Sequence, residues 1–287
     1  MKKHAYLIMA HNNFPLLAKL LTLLDDERND IYLHVDKKAK EYNPSAMNSL
    51  LRHASLTQIK RENVAWAGYS QIRVELRLLE SAVKCEHSYY HLLSGVDLPL
   101  KSQDEIHDFF ARNDGKEFVC IDGTSRNGFN AYERIGIYHF FQDRIGRNQH
   151  FIMSRIEKGL IETQVKLHID RTRANNSTFY KGAQWFSISH SFALYLLSIR
   201  KRIVRTYSYC LGADELFVQT ELMQSPFASN IANNCMREID WKRGTPYTWD
   251  ISDYEYLMQS KALFARKFDY EKRPEIVDRI CEQLSKC

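Results

Sequence analysis

Two adjacent carboxylates, Asp214 and Glu215, follow the pair Gly212-Ala213 and precede the apolar run Leu216-Phe217-Val218. This spacing predicts a carboxylate near a helix N-terminus, where free backbone N–H groups and the helix dipole favour its ionised form. A positioned, ionised carboxylate is what a general base needs. A simpler reading makes Asp214 the N-cap of the helix and leaves Glu215 solvated in the first turn. Asp36 closes the apolar segment Ile31–Val35, within His34-Val35-Asp36-Lys37-Lys38. An acid there can accept hydrogen bonds from the ribose or base of a nucleotide, although a surface turn residue fits the position equally well. Arg266-Lys267, flanked by Phe264 and Phe268, and Arg243 supply cations suited to phosphate oxygens, with a solvated basic face as the other reading.

Several chemistries lack their motifs. There is no Gly-x-Gly-x-x-Gly, no Gly-x-x-x-x-Gly-Lys and no His-Glu-x-x-His, which argues against a dinucleotide fingerprint, a P-loop and a zinc hydrolase. A nucleophilic serine in Gly-x-Ser-x-Gly is missing too. The chain also has no Asp-x-Asp, the common means of presenting a divalent metal to a diphosphate. A bound diphosphate would then be neutralised by side chains, and neither metal nor cofactor is expected.

These residues need a scaffold. Ala5 to Met9 and Ile31 to Val35 read as short buried strands. Between them lies the polar turn His11-Asn12-Asn13, then a helix with Pro15 in its first turn and Leu16, Leu17, Leu20, Leu21 and Leu24 at helical spacing. A weak strand is expected near Leu56 to Ile59, a helix over Ser70 to Cys85 with Ile72, Leu76 and Leu79 on one face, and a strand over Tyr89 to Leu93. Ser94 to Lys101 reads as a loop, Ser102 with Glu105 as a capping box, and Glu117 to Ile121 as a strand. Thr124 to Tyr180 loses the rhythm, which returns with a strand over Trp185 to Ser189 and a helix over Phe192 to Ile199. Alternation of this kind predicts an α/β fold, a Rossmann-like mostly parallel sheet flanked by helices that binds ligands at the carboxyl ends of its strands. One domain is expected over 1–287, with a nucleotide-binding half (1–123) and an acceptor and catalytic half (124–287).

The 287 residues can bury a full core, and 44% hydrophobic with 26% charged residues is ordinary for a globular domain. No apolar run reaches membrane-spanning length, and the apolar segment after Met1-Lys2-Lys3 is too short for a signal peptide. A cytoplasmic product is therefore expected, with Cys85, Cys120, Cys210, Cys235, Cys281 and Cys287 as reduced thiols. The overlapping sequons at Asn175 and Asn176 then carry no meaning. Between Arg144 and Lys181 eight basic residues meet three acidic ones, a local surplus equal to the +5 of the whole chain. Such a stripe suits an anionic acceptor or the inner face of an anionic membrane, with a solvated helix face as the alternative. Nucleic acid is not expected, because no nucleic-acid-binding motif accompanies it.

The chain resembles the core-2/I-branching β-1,6-N-acetylglucosaminyltransferase family, which also contains the peptide O-xylosyltransferases. The matching segments are Tyr6 to His11, Ile31 to Lys37, Glu62 to Ser70, Leu92 to Lys101, Gly182 to Ser187, Ala213 to Thr220, Asp240 to Gly244 and Leu263 to Asp269. Their shared order carries the resemblance. It implies a GT-A type glycosyltransferase fold and inverting, metal-independent transfer from a UDP-sugar, N-acetylglucosamine being the expected sugar. By position, Glu215 matches the catalytic base. Asp36, His11, Lys267, Arg266 and Arg243 fall on the donor side, and Trp241, Trp185 and Asp97 on the acceptor side. The family's diphosphate arginine has no clear match between Pro246 and Leu263. The chain looks like a bacterial relative without a membrane anchor, acting on a glycan or lipid-linked saccharide in surface polysaccharide synthesis. Three alternatives stand beside this reading. They are a UDP-xylose donor, a silent UDP-sugar or glycan-binding module, and a glycoside hydrolase, which would need a second, opposed carboxylate.

Overall fold

A computed structural model describes residues 2–147, 151–173 and 178–285. Asn175, Asn176 and Cys287 lie outside the described residues. The chain opens with β1 (His4–Ala10), α1 (Phe14–Leu23), β2 (Asn29–Val35), α2 (Pro44–Asn48), β3 (Ser55–Gln58), α3 (Tyr69–Ala82) and β4 (Tyr89–Ser94). β5 (Asp97–Pro99), α4 (Gln103–Arg112), β6 (Phe118–Val119) and β7 (Gly123–Thr124) follow. Next come α5 (Gln142–Ile145), α6 (Phe151–Lys166), β8 (Tyr180–Lys181), β9 (Phe186–Ser189), α7 (His190–Ser198), α8 (Arg200–Tyr207) and α9 (Phe217–Met223). The last elements are β10 (Arg237–Ile239), α10 (Tyr254–Gln259), β11 (Phe264–Arg266) and α11 (Pro274–Leu284).

The main sheet has the order β3-β2-β1-β4-β9-β6. β1, β2, β3 and β4 pair in parallel, while β9 runs antiparallel to both β4 and β6. Successive side chains of β1 point to opposite faces, so Tyr6 and Ile8 enter one core and Ala5 and Leu7 the other. The first core gathers Leu16, Leu17, Leu20 and Leu21 of α1 with Ile276, Val277 and Ile280 of α11. The second gathers Ile72, Leu76 and Leu79 of α3 with Phe192, Ala193 and Leu196 of α7. Covering both faces is what makes β1, β2 and β4 near-continuous apolar runs. A smaller sheet, β10-β11-β5, sits against this body.

This is the expected α/β architecture, a mostly parallel sheet flanked by helices. α1 begins at Asn13, whose side chain caps it, with Pro15 in the first turn, and α4 carries the full capping box between Ser102 and Glu105. The expected loop from Ser94 to Lys101 contains β5, because Asp97–Pro99 finds a partner in β11 far along the chain. The strand expected over Glu117 to Ile121 shrinks to Phe118–Val119, since the backbone of Glu117 bonds to Asn230 and Ala232 instead. The stretch without rhythm holds the 16-residue helix α6. β9, from the second half of the chain, lies between β4 and β6 of the first, so the two halves share one sheet.

Gly182, between β8 and β9, packs directly on backbone. A Cβ placed there would lie 1.7 Å from the Cys120 carbonyl oxygen, and the Gly182 N–H donates to the Glu215 carbonyl at 3.0 Å. Overpacking against backbone costs about 1–3 kcal/mol or more. Gly182→Ala is therefore expected to lower the unfolding free energy by at least that range in urea titration, and an unchanged midpoint would contradict this packing.

Candidate active site

The carboxyl ends of β1, β2 and β4 meet at one edge of the sheet, with His11, Asp36 and Ser94 at the three termini. Backbone bonds hold these ends in register: Asp36 N–H donates to Ala10 O at 2.9 Å and Gly95 N–H to Met9 O at 2.9 Å. The Asp36 carboxylate accepts from the amides of Lys38 (2.9 Å) and Val64 (3.3 Å), and the Lys38 ammonium stands 3.4 Å away. His11 is exposed at the rim, yet surrounding protein desolvates its ring and lowers its pKa. Asp36 opposes that shift, while Arg266, Lys38 and Arg147 reinforce it. His11 thus stands within the electrostatic reach of both Asp36 and Arg266.

Glu215 sits at the end of a single 3₁₀ turn, Ala213–Glu215, entered through Gly212 at φ 61°. Glycine suits the left-handed backbone there, and a Cβ would lie 2.2 Å from the Arg134 guanidinium, which would have to shift. Arg134 pins the turn by donating to Leu211 O (3.2 Å), Gly212 O (3.0 Å) and the Glu215 carboxylate (2.9 Å). The Glu215 side chain is 36% exposed, so it is oriented yet reachable.

Asp214 has a different fate. It is 7% exposed, accepts from Gln71 at 3.0 Å, and leaves Oδ1 without a partner. Burial, helped by the neighbouring Glu215 charge, pushes its pKa up to about 7. The reading of Asp214 as an N-cap is corrected: α9 starts only at Phe217, after Leu216, and no side chain caps it.

One loop joins the Asp36 end of β2 to the Glu215 turn. Glu62 O accepts from Lys37 N–H (2.9 Å), Val64 N–H reaches Asp36, and Ala67 O accepts from Gly212 N–H at 2.8 Å. Gln71 closes the arrangement by accepting from Ala67 N–H (2.6 Å) while donating to Asp214. A second connection runs below. Gln184 donates to Glu75 at 2.6 Å, burial and then the Asp214 charge raise the pKa of Glu75, and Trp185 follows Gln184 in the chain.

The cations divide into spent and free. Arg266 donates to Asp97 at 2.8 Å and stacks over Trp185, its guanidinium 4.3 Å from the ring centroid. Asp97 is completely buried, so its expected acceptor contact is corrected: it serves as the counter-ion of Arg266. Arg243 is held by Asp240 (2.6 Å) and Asp253 (2.8 Å) and lies over the Tyr247 ring at 4.0 Å, which fixes it within its loop. The Lys267 ammonium has neither a hydrogen bond nor an ion pair among the described residues, and its backbone is clamped. Trp249 donates from its indole to Arg266 O (2.9 Å) and from its amide to Lys267 O (3.1 Å). β10 and β11 run parallel with Ile239 opposite Arg266, so the exposed Trp241 and the half-buried Lys267 follow the small sheet at the same end.

Arg134, Gln71 and Glu75 escaped the sequence reading. Arg134 lies in the stretch without periodicity, where nothing marks it. Gln71 directly follows the segment Glu62–Ser70. Glu75 did leave a signal, because an acid on the apolar face formed by Ile72, Leu76 and Leu79 has to be buried.

A model of the Core-2/I-Branching enzyme family matches residues 4–259. Xylosyltransferase 2 of Mus musculus is 23% identical over 308 residues, which cover 96% of this chain and 33% of that protein. The N-acetyllactosaminide beta-1,6-N-acetylglucosaminyl-transferase of Mus musculus is 23% identical over 301 residues, covering 96% of this chain and 70% of the other. The chain thus spans about a third of the length of the xylosyltransferase it matches. Among solved structures, apo mouse Xyloside xylosyltransferase 1 aligns over 92% of this chain and 97% of its own with 11% identity and a TM-score of 0.38, a distant likeness.

The Asp214 environment generates a signed prediction. Its folded pKa lies above the ordinary carboxylate value of 3.8, so the unfolded chain releases this proton first as pH rises. The corresponding stability is fully present below about pH 3.8 and is lost as pH climbs through about 7. Asp214→Asn removes that loss. The variant is expected to exceed the wild type in unfolding free energy at pH 8 by about 1–4 kcal/mol, the gap closing toward pH 4. Glu117, also raised by burial, titrates alike in both proteins and cancels in the difference, while Glu75, raised further by the Asp214 charge, is relieved in the variant and adds to its advantage at pH 8. A variant less stable than wild type at pH 8 would restore the capping role.

Proposed function

The chain belongs to the Core-2/I-Branching enzyme family, and from that premise we propose that it is an inverting glycosyltransferase that moves N-acetylglucosamine from a UDP-sugar to a glycan hydroxyl without a metal ion. The observation that carries the proposal is the single loop that ties Asp36, at the nucleotide end of the cleft, to the turn presenting Glu215.

Glu215 accepts the proton of the acceptor hydroxyl as that oxygen attacks the anomeric carbon from the face opposite the leaving group. The new glycosidic bond forms as the bond from the anomeric carbon to the diphosphate oxygen breaks, and the electron pair departs with UDP. Arg134 keeps the carboxylate aimed throughout. Lys267 meets the charge that develops on the diphosphate, since no carboxylate among the described residues claims its ammonium. A fixed cation at a developing charge stabilises the transition state without reorganisation. Asp36 and His11 hold the nucleoside end, and Trp185 and Trp241 offer faces on which a sugar ring can stack.

A second reading keeps this machinery and changes the donor to UDP-xylose, since similar proteins include xylosyltransferases. Screening a panel of UDP-sugars for UDP release with glycan acceptors distinguishes the two. No UDP release with any donor, despite UDP binding, would leave a silent binding module.

Glu215→Gln preserves an oxygen for Arg134 but removes the base. The expected result is a loss of about 10²–10⁴-fold in kcat with unchanged thermal stability and UDP affinity. Turnover near the wild-type rate would sink the assignment of Glu215.

Lys267→Ala is expected to weaken UDP binding by about 1.5–3 kcal/mol in calorimetric titration, the value of a charge-assisted hydrogen bond. The wild-type titration and turnover are both expected to survive excess EDTA. Unchanged UDP affinity in the variant removes Lys267 from the site, and EDTA-sensitive turnover restored by manganese removes metal independence.

A further inference from the structure

Helix α6 departs from the usual amphipathic pattern. An ordinary surface helix turns its apolar stripe toward the core. Here the two buried side chains are polar, Glu157 and Gln164. They fasten the helix by accepting from the backbone amides of Phe141 (3.2 Å) and Tyr138 (2.7 Å), and Gln164 also donates to Tyr138 O (2.9 Å). Met153, Leu160 and Ile161 are half-buried, while other apolar residues face solvent: Phe151 is 70% exposed, Ile152 73% and Ile156 48%. Ile152 and Ile156 are one turn apart and share a face.

Cations frame this face. The Arg155 guanidinium lies over the Phe151 ring, 5.0 Å from its centroid. Arg144 lines, with Phe151, Ile152 and Met153, an open hollow of about 670 Å³. Lys158 and Lys166 are exposed on the same helix. Glu157 is turned inward, so Glu162 is the one outward acid of α6. Arg147 extends the patch toward the cleft, its guanidinium 5.0 Å from the centroid of the exposed Trp66 ring. Trp66 immediately precedes Ala67, whose carbonyl holds the Glu215 turn.

We propose that the outer face of α6 is a peripheral docking surface for an anionic lipid bilayer. Phe151, Ile152 and Ile156 enter the interfacial region while Arg144, Arg155, Lys158 and Lys166 meet anionic headgroups. Apolar side chains projecting from a basic field are the combination that membrane interfaces select, because each contribution alone gives only weak binding. A soluble acidic glycan would use the charges and leave the three apolar side chains in water. The Arg147–Trp66 contact then sets the cleft beside the bilayer. The proposal stands apart from the reaction, since vesicle binding is measured without donor or acceptor.

The test is flotation of the full chain with vesicles of phosphatidylcholine alone or mixed with phosphatidylglycerol. Flotation is expected with the anionic mixture, weaker at raised salt and absent from neutral vesicles. The double variant Ile152→Glu, Ile156→Glu is expected to lose roughly tenfold or more in partition coefficient while unfolding at the same temperature, because both side chains are exposed. Arg155→Gln with Lys158→Gln gives a smaller, salt-sensitive loss. No flotation of the wild type at low salt overturns the proposal. So does full flotation of the Ile152, Ile156 variant, or self-association of the wild type that this variant abolishes, which would assign the face to a second copy of the chain. Binding to an anionic polysaccharide without binding to vesicles would assign it to an acceptor and likewise overturn it.

Discussion

Asp97 is a carboxylate with no contact with water, and Arg266 answers it across the pairing of β5 with β11. Burial alone raises the pKa of Asp97, and the Arg266 charge with the Ser94 N–H (2.9 Å) pulls it back. Losing either partner of such a pair typically costs about 3–5 kcal/mol, because the survivor is left uncompensated in a low dielectric. β5 follows directly on β4, so the pair fastens the small sheet to the central strands of the large one. A second buried guanidinium, Arg237 on β10, crosses the same seam, donating to Leu92 O of β4 (3.2 Å) and Phe186 O of β9 (2.8 Å). With the seam fixed, Arg266 rests on Trp185, and the adjoining Lys267 follows at the end of β11.

Two like-charged dipeptides divide their labour in the same manner. In Asp214-Glu215 the first acid is buried against Gln71, and the second is exposed and aimed by Arg134. In Arg266-Lys267 the first cation is consumed by Asp97, and the second keeps its charge unclaimed among the described residues. In each pair one side chain anchors the backbone inward and the other inherits a fixed direction outward. Sequence shows that the charges are adjacent, and only the packing around them shows which one is available.

Most of the large sheet could be read before any coordinates, because β1, β2 and β4 are covered on both faces and therefore rich in apolar residues. The capping box of α4 was visible for the same local reason. β5 was hidden because three residues ending in proline acquire strand geometry only from a distant partner. α6 was hidden because its fully buried positions, Glu157 and Gln164, are polar while Phe151, Ile152 and Ile156 are exposed, so it lacks the single apolar stripe that normally marks a helix. Glu215, Asp36 and Lys267 stood out by position in the chain. Arg134 did not, since its role comes from a contact between residues far apart in sequence, made in a segment with no local pattern.

The place of β9 in the order β3-β2-β1-β4-β9-β6 bears on how the chain comes to be folded. As it emerges from a ribosome, the parallel unit of β1 to β4 is finished early, yet one edge of β4 has no neighbour until residues 186–189 appear. An open edge beside a buried apolar strand is a template for wrong pairing. Distant strand pairings also make slow folders, because the long intervening loop must close before the pairing rewards it. The vulnerable species of this protein is therefore a nascent chain that carries its four parallel strands with their last partner still unmade.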